Sequence, residues 1–306
     1  MFRSASLVPT TWASRRLTVN GVDTFFYDVG AGTGTGGEQV PVICLHGNPD
    51  SADAWAPLLE RSGRLGRVIA PDLPCFGRSA RPDPAVFDAS LDAYVDWFTA
   101  FIDSLGVDRY RLVVHDWGSL ALAAASRRPE QVERLVAIDV VPLSAAYRWH
   151  WIARLLWRPP VIGEVGMTMF NRFVIKSLTR LQRPKFKALD AGLLDRMKRD
   201  LDGGMKRAIL RLYRTADRAD LGRHGARLGE LTCPALIVWG RQDPYVGTAE
   251  MDVLAAQLGG TVEAVLVDGG HWPMFDTPDV FDRTTRFLTT DTSTDTPTDT
   301  SPGARS

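Results

Sequence analysis

The sequence predicts an α/β fold, a mostly parallel, eight-stranded sheet with helices on both faces and an α-helical cap inserted above it. Two patterns lead there. Short β-branched runs recur with helical segments between them, the rhythm of a parallel sheet covered by helices. The rhythm breaks from Val140 to Leu231, where helical patterns continue without a convincing strand. Ligands in open α/β sheets bind outside the carboxyl ends of the strands, and an insertion there would roof that site.

The first two strands, Leu17–Val19 and Thr24–Val29, leave no room for a crossover helix and are expected to pair as an antiparallel hairpin through Asn20 and Gly21. Strands follow at Val40–Leu45, Val68–Pro71, Tyr110–His115, Leu135–Asp139, Ala235–Trp239 and Thr261–Val267, and helices at Ser90–Leu105, Ser119–Arg128, Thr248–Leu258 and Asp279–Leu288. The chain then divides into a core (residues 1–139 and 232–289), a cap (140–231) and a Thr/Asp/Ser/Pro-rich tail (290–306) expected to be disordered, since such a composition buries no core.

Composition narrows the function. Thirty-six basic and 36 acidic residues cancel, which argues against nucleic acid or an anionic membrane as partner and suits a small neutral organic substrate. Cys44, Cys75 and Cys233 are odd in number and widely spaced, without metal-ligand spacing, as expected in a reducing cytoplasm. MFRSASLVPTTWAS lacks a signal-like apolar run, and no stretch reaches the roughly 18 apolar residues that span a bilayer. The expectation is a cytoplasmic monomer or homodimer.

The chemistry concentrates in LVVHDWGS, Leu112 to Ser119. Leu112, Val113 and Val114 read as a buried strand and the residues from Gly118 as a helix, so Asp116 stands on a strand–turn–helix elbow, where a nucleophile is exposed on strained backbone. An Asp at such a turn is also an ordinary helix cap. Its partners favour the chemical reading: Asp243 in VWGRQDPYV and His271 in VDGGHWPMF each follow a strand, so three loops converge. A His held by a carboxylate removes a proton from water, the step that hydrolyses an aspartyl ester. Asp139, ending the sixth strand, is the rival orienting acid.

The order nucleophile, acid, histidine resembles that of the α/β-hydrolase fold, in which the loop after the third strand and the residue after the nucleophile supply the oxyanion-hole amides. Here these are Asn48, in CLHGNPD, and Trp117. HGNP together with HDWGS resembles the haloalkane dehalogenases, and the likeness implies that the Asn48 side chain and Trp117 bind the departing halide. It also ranks Asp243 above Asp139, without need of a metal or organic cofactor. Epoxide hydrolases share the HDWG turn and hold the epoxide oxygen with cap tyrosines; Tyr213, in ILRLYRTAD, resembles one of these, with Tyr147 or Trp157 as its partner. Trp149, Trp157, Phe170 and Tyr213 would shape the cavity. Carbon–halogen hydrolysis is the first reading and epoxide hydrolysis the second, because epoxide hydrolases usually carry an aromatic where this chain has Asn48. GHWPMF departs from the dehalogenase pattern. A non-catalytic binder of apolar ligands is the reading from another class.

Overall fold

The computed structural model describes residues 12–30, 40–169 and 191–290. The first eleven residues, Phe170 and all but the first residue of the tail expected at 290–306 lie outside the described residues.

Eight strands form one sheet: β1 (Ser14–Val19), β2 (Val22–Val29), β3 (Val42–Leu45), β4 (Val68–Pro71), β5 (Tyr110–His115), β6 (Val132–Ile138), β7 (Ala235–Gly240) and β8 (Val262–Val267), in the spatial order β1-β2-β4-β3-β5-β6-β7-β8. β1 and β2 form the hairpin with Val19 opposite Val22, and Asn20 and Gly21 both take positive φ, 47° and 78°, the geometry of a tight two-residue turn. β2 also runs antiparallel to β4, and the remaining pairs are parallel. β3, β4 and β7 are buried along their whole length, which is why they read as unbroken apolar runs. Each fully buried Ile or Leu there contributes about 1.5–3 kcal/mol of hydrophobic stabilisation.

Strand order reverses between β3 and β5, whose Leu45 and Val114 are partners. Their following loops open a crevice at that switch point, the usual ligand position in such sheets. Between β6 and β7 come a π-helical turn at Ala153–Trp157 and helices at Ile162–Met169, Ala191–Asp200, Gly203–Thr215 and Arg218–Gly225, with no strand among the described residues. Caps explain two starts: Ser90 accepts the Ala93 N–H at the head of Leu91–Leu105, and Asp202 accepts the Met205 N–H at the head of Gly203–Thr215. No helix among the described residues is long and apolar enough to cross a membrane.

Candidate active site

β5 ends at His115, and Asp116 turns the chain with a φ of 50° into a 3-10 turn, Asp116–Ser119, that runs on into the helix Leu120–Ala125. A non-glycine residue there is strained, by about 1–3 kcal/mol. Close packing enforces it. A Cβ on Gly47 would lie 2.2 Å from Asp116 Oδ1, and one on Gly118 would lie 2.3 Å from the Leu45 carbonyl oxygen. The glycines of the HGNP loop and of the elbow therefore let two backbones meet. The Asp116 carboxylate is turned away from its own helix: Oδ1 accepts the Asn48 backbone N–H at 2.6 Å, and Oδ2 lies 3.3 Å from His271 Nε2. It does not serve as a helix cap.

His271 stands in the loop after β8, its Nδ1 2.7 Å from Asp243 Oδ2. Asp243 follows β7 and is oriented by its own turn, Oδ1 accepting the N–H groups of Tyr245 and Val246 at 2.7 and 3.0 Å. Asp139 sits beside them at the end of β6, fully buried with a φ of 40°; Oδ1 accepts the Gly240 N–H at 2.9 Å and Oδ2 has no partner among the described residues. The structure thus brings Asp116, His271 and Asp243 into one chain of contacts and leaves Asp139 outside it.

Burial by itself would raise the Asp116 pKa, but the contact and charge of His271 and the Asn48 N–H together hold it below the ordinary carboxylate range. Burial opposes protonation of His271 as well, yet the Asp243 charge and the contact with Asp116 raise its pKa well above that of a free imidazole. Both contacts favour the protonated form of the imidazole. Asp139 goes the other way, its pKa driven well up by burial and then by the Asp243 charge.

Above Asp116 lies a cavity of about 40 Å³ lined by Asn48, Tyr147, Trp157 and Tyr213, and also by Trp149, His150, Tyr245 and Trp272. Trp117 is fully buried, its ring 5.1 Å from that of Tyr213 in an edge contact, and its indole N–H has no partner among the described residues. Burial and the Asp116 charge push the Tyr213 phenol far up, and Tyr213 shares the cavity lining with Asn48, whose side-chain oxygen also has no partner among the described residues. The Tyr147 hydroxyl and the Trp149 indole N–H are buried without partners among the described residues. Trp157 packs edge-on against Tyr213 at 4.9 Å.

Sequence patterns missed His150 and Tyr245. His150 accepts the Ala153 N–H on Nδ1 at 3.3 Å, and its ring stands 5.2 Å from that of Tyr245, which in turn packs 5.0 Å from His271. A signal existed for each: His150 is one of only five histidines, and Tyr245 lies two residues past Asp243.

Comparison with known proteins bears on this geometry. Residues 40–278 match the family model of the alpha/beta hydrolase fold. A haloalkane dehalogenase from Mesorhizobium japonicum is 30% identical over 258 residues, spanning 79% of this chain and 82% of that protein. The crystal structure of haloalkane dehalogenase DbeA from Bradyrhizobium elkani aligns with a TM-score of 0.73 at 24% identity, over 90% of this chain and 97% of its own. A variant of a Pseudomonas aeruginosa protein described as an epoxide hydrolase aligns with a TM-score of 0.75 at 22% identity, over 91% of this chain and 96% of its own. The two structural likenesses concern the fold.

Proposed function

The chain belongs to the haloalkane dehalogenase family of the α/β-hydrolase fold, and from that premise we propose that it hydrolyses carbon–halogen bonds through an alkyl ester on Asp116. The observation that carries the reading is the Asp116 carboxylate itself, with one oxygen on the Asn48 backbone N–H and the other facing His271. Oδ1 then stays as the carbonyl oxygen of the intermediate, already seated where an oxyanion will form. Oδ2 attacks the saturated carbon, the carbon–halogen bond breaks, and the halide leaves with the bonding pair toward the Asn48 side chain and the Trp117 indole N–H.

Esterification neutralises Asp116 and so removes one of the two charges that hold the proton on His271. After releasing that proton to solvent, His271, still oriented by Asp243, takes one from water as the oxygen attacks the ester carbon. The backbone N–H groups of Asn48 and Trp117 hold the oxyanion, and its collapse returns the Asp116 carboxylate and an alcohol. The balance is R–X plus water giving R–OH, halide and a proton. Neither step calls for a metal or an organic cofactor.

The reading includes a small neutral substrate, a cap over residues 140–231 between core parts 1–139 and 232–289, cytoplasmic residence, and a monomer or homodimer. The second reading, epoxide hydrolysis to a diol by the same ester, is favoured by one observation: Tyr213 lines the cavity with Asp116 and Asn48 and packs 5.1 Å from Trp117, where an oxygen leaving group would need a proton.

Intact-mass analysis of His271→Gln incubated with haloalkanes and with epoxides tests both. Without its base the ester is trapped, and the added mass is an alkyl group for a haloalkane and a hydroxyalkyl group for an epoxide. Absence of any adduct on Asp116 across a broad substrate panel would overturn the mechanism.

A further inference from the structure

We infer that His115, the residue before the proposed nucleophile, is a positioning residue for the water-activating half of the reaction; the inference rests on the Asp116-ester mechanism. His115 closes β5 and is buried, 1% exposed, and its Nε2 lies 2.7 Å from the backbone carbonyl oxygen of His271. A carbonyl oxygen only accepts, so Nε2 carries the hydrogen. Nδ1 has no partner among the described residues and is the bare acceptor of a neutral ring. Burial and the His271 charge push the His115 pKa down to about 4, which preserves that tautomer at neutral pH.

The loop that needs holding is weak by composition. His271 follows Gly269 and Gly270, two residues with wide backbone freedom. The flanks of the loop are tied, Gly269 O accepting the Gln242 N–H at 2.9 Å and the Gly270 N–H donating to Asp276 Oδ2 at 2.8 Å. The backbone carbonyl of His271 itself is held from the elbow by His115, whose ring lies 5.0 Å from that of His271 and 6.0 Å from that of Trp272. Nucleophile and base are thereby fixed to each other through adjacent residues, Asp116 and His115. Alkylation uses the Asp116 oxygen and the halide contacts but not His271; ester hydrolysis needs His271 Nε2 in line with a water, and a small displacement there is costly.

The experiment compares His115→Leu and His115→Asn, which lack the bond, with His115→Gln, whose amide N–H reaches the place of Nε2–H. A bromoalkane such as 1-bromobutane serves as substrate, and His271→Gln serves as the trapping control. For the first two variants kcat falls about 10- to 100-fold while kcat/KM, which reports alkylation, stays near wild type. KM falls with kcat, and the Asp116 adduct accumulates in the steady state by intact mass. His115→Gln restores turnover. Equal losses in kcat and kcat/KM without adduct, or a folded glutamine variant as slow as the other two, would overturn the role of His115. A His271→Gln control that forms no adduct would instead overturn the ester mechanism itself, and the role of His115 with it.

Discussion

Asn48 acts in the proposed mechanism through two groups, and they can be separated. Its backbone N–H holds Asp116 Oδ1, whereas its side-chain oxygen has no partner among the described residues and Asn48 lines the cavity together with Tyr213. Asn48→Ala keeps the first and removes the second. One hydrogen bond to a developing anion contributes about 1.5–3 kcal/mol, so halide release from chloro- and bromoalkanes is expected to fall roughly 10- to 100-fold in kcat/KM, with epoxide opening spared. Tyr213→Phe gives the reverse order if the substrate is an epoxide. A haloalkane rate untouched by Asn48→Ala would remove that side chain as a halide contact. The pH dependence has two parts. The Asp116 pKa is depressed, so the nucleophile stays ionised as pH falls through the ordinary carboxylate range near pH 4, and kcat/KM stays level until well into acid. His271 acts as base only when neutral, and Asp243 raises its pKa. The acid limb of kcat is therefore expected above the ordinary imidazole value of about 6.5. Paired pH profiles of kcat and kcat/KM check both signs.

The two loops of the site meet as rigid elements, and glycine sets their separation. Gly47→Ala would drive a Cβ against both Asp116 and the Trp117 backbone nitrogen, at 2.2 and 2.5 Å. Neither neighbour is the loose end of a flexible side chain, so the loop or the elbow must shift. The expected result is a folded protein with a lower melting temperature and at least a hundredfold slower alkylation, measured by calorimetry and single-turnover halide release. At this scale the sequence was informative where burial was complete. β4, β5 and the Asn20–Gly21 hairpin are recognisable because apolar runs or turn chemistry mark them. The edges were not: β1 begins at Ser14 rather than Leu17, its Ser14, Arg15 and Arg16 being exposed and paired only with β2. β6 begins at Val132 rather than Leu135, because Glu133 and Arg134 interrupt the apolar pattern. The π-helical turn at Ala153–Trp157 had no signal, since ARLLW reads as ordinary helix.

Across the molecule, Asp116, Asp243 and His271 were readable because each follows a strand of a sheet whose order is fixed by crossover rules. His150 and Tyr245 were not, because their place in the cavity depends on how the segment after β6 lies over the turn after β7, which no local pattern encodes. Contact between the β6–β7 insertion and the sheet also depends on charges far apart in sequence. Asp53, in the 3-10 turn Ala52–Trp55 just past the HGNP loop, is 3% exposed and accepts the Tyr27 hydroxyl at 3.1 Å. It faces Arg78 at 2.8 Å on the sheet side and Arg199, from the helix Ala191–Asp200, at 3.4 Å. Each arginine keeps a second carboxylate, Arg78 on Asp72 at 2.9 Å and Arg199 on Asp200 at 2.7 Å. Asp53→Asn therefore strands neither cation, and Arg199 is 55% exposed, so its share is screened by solvent. The loss should fall well short of the 3–5 kcal/mol that follows when a buried charge loses its only partner. About 1–2 kcal/mol is expected, a melting temperature lower by roughly 2–3 °C for a chain of this size. Arg199→Ala should cost less than half of that if Arg78 carries the greater part of the pairing. Equal losses in the two variants would place the weight on the contact with Ala191–Asp200 instead, and the same calorimetric scans at low and high salt would show it, because the exposed pair weakens with ionic strength and the buried one does not.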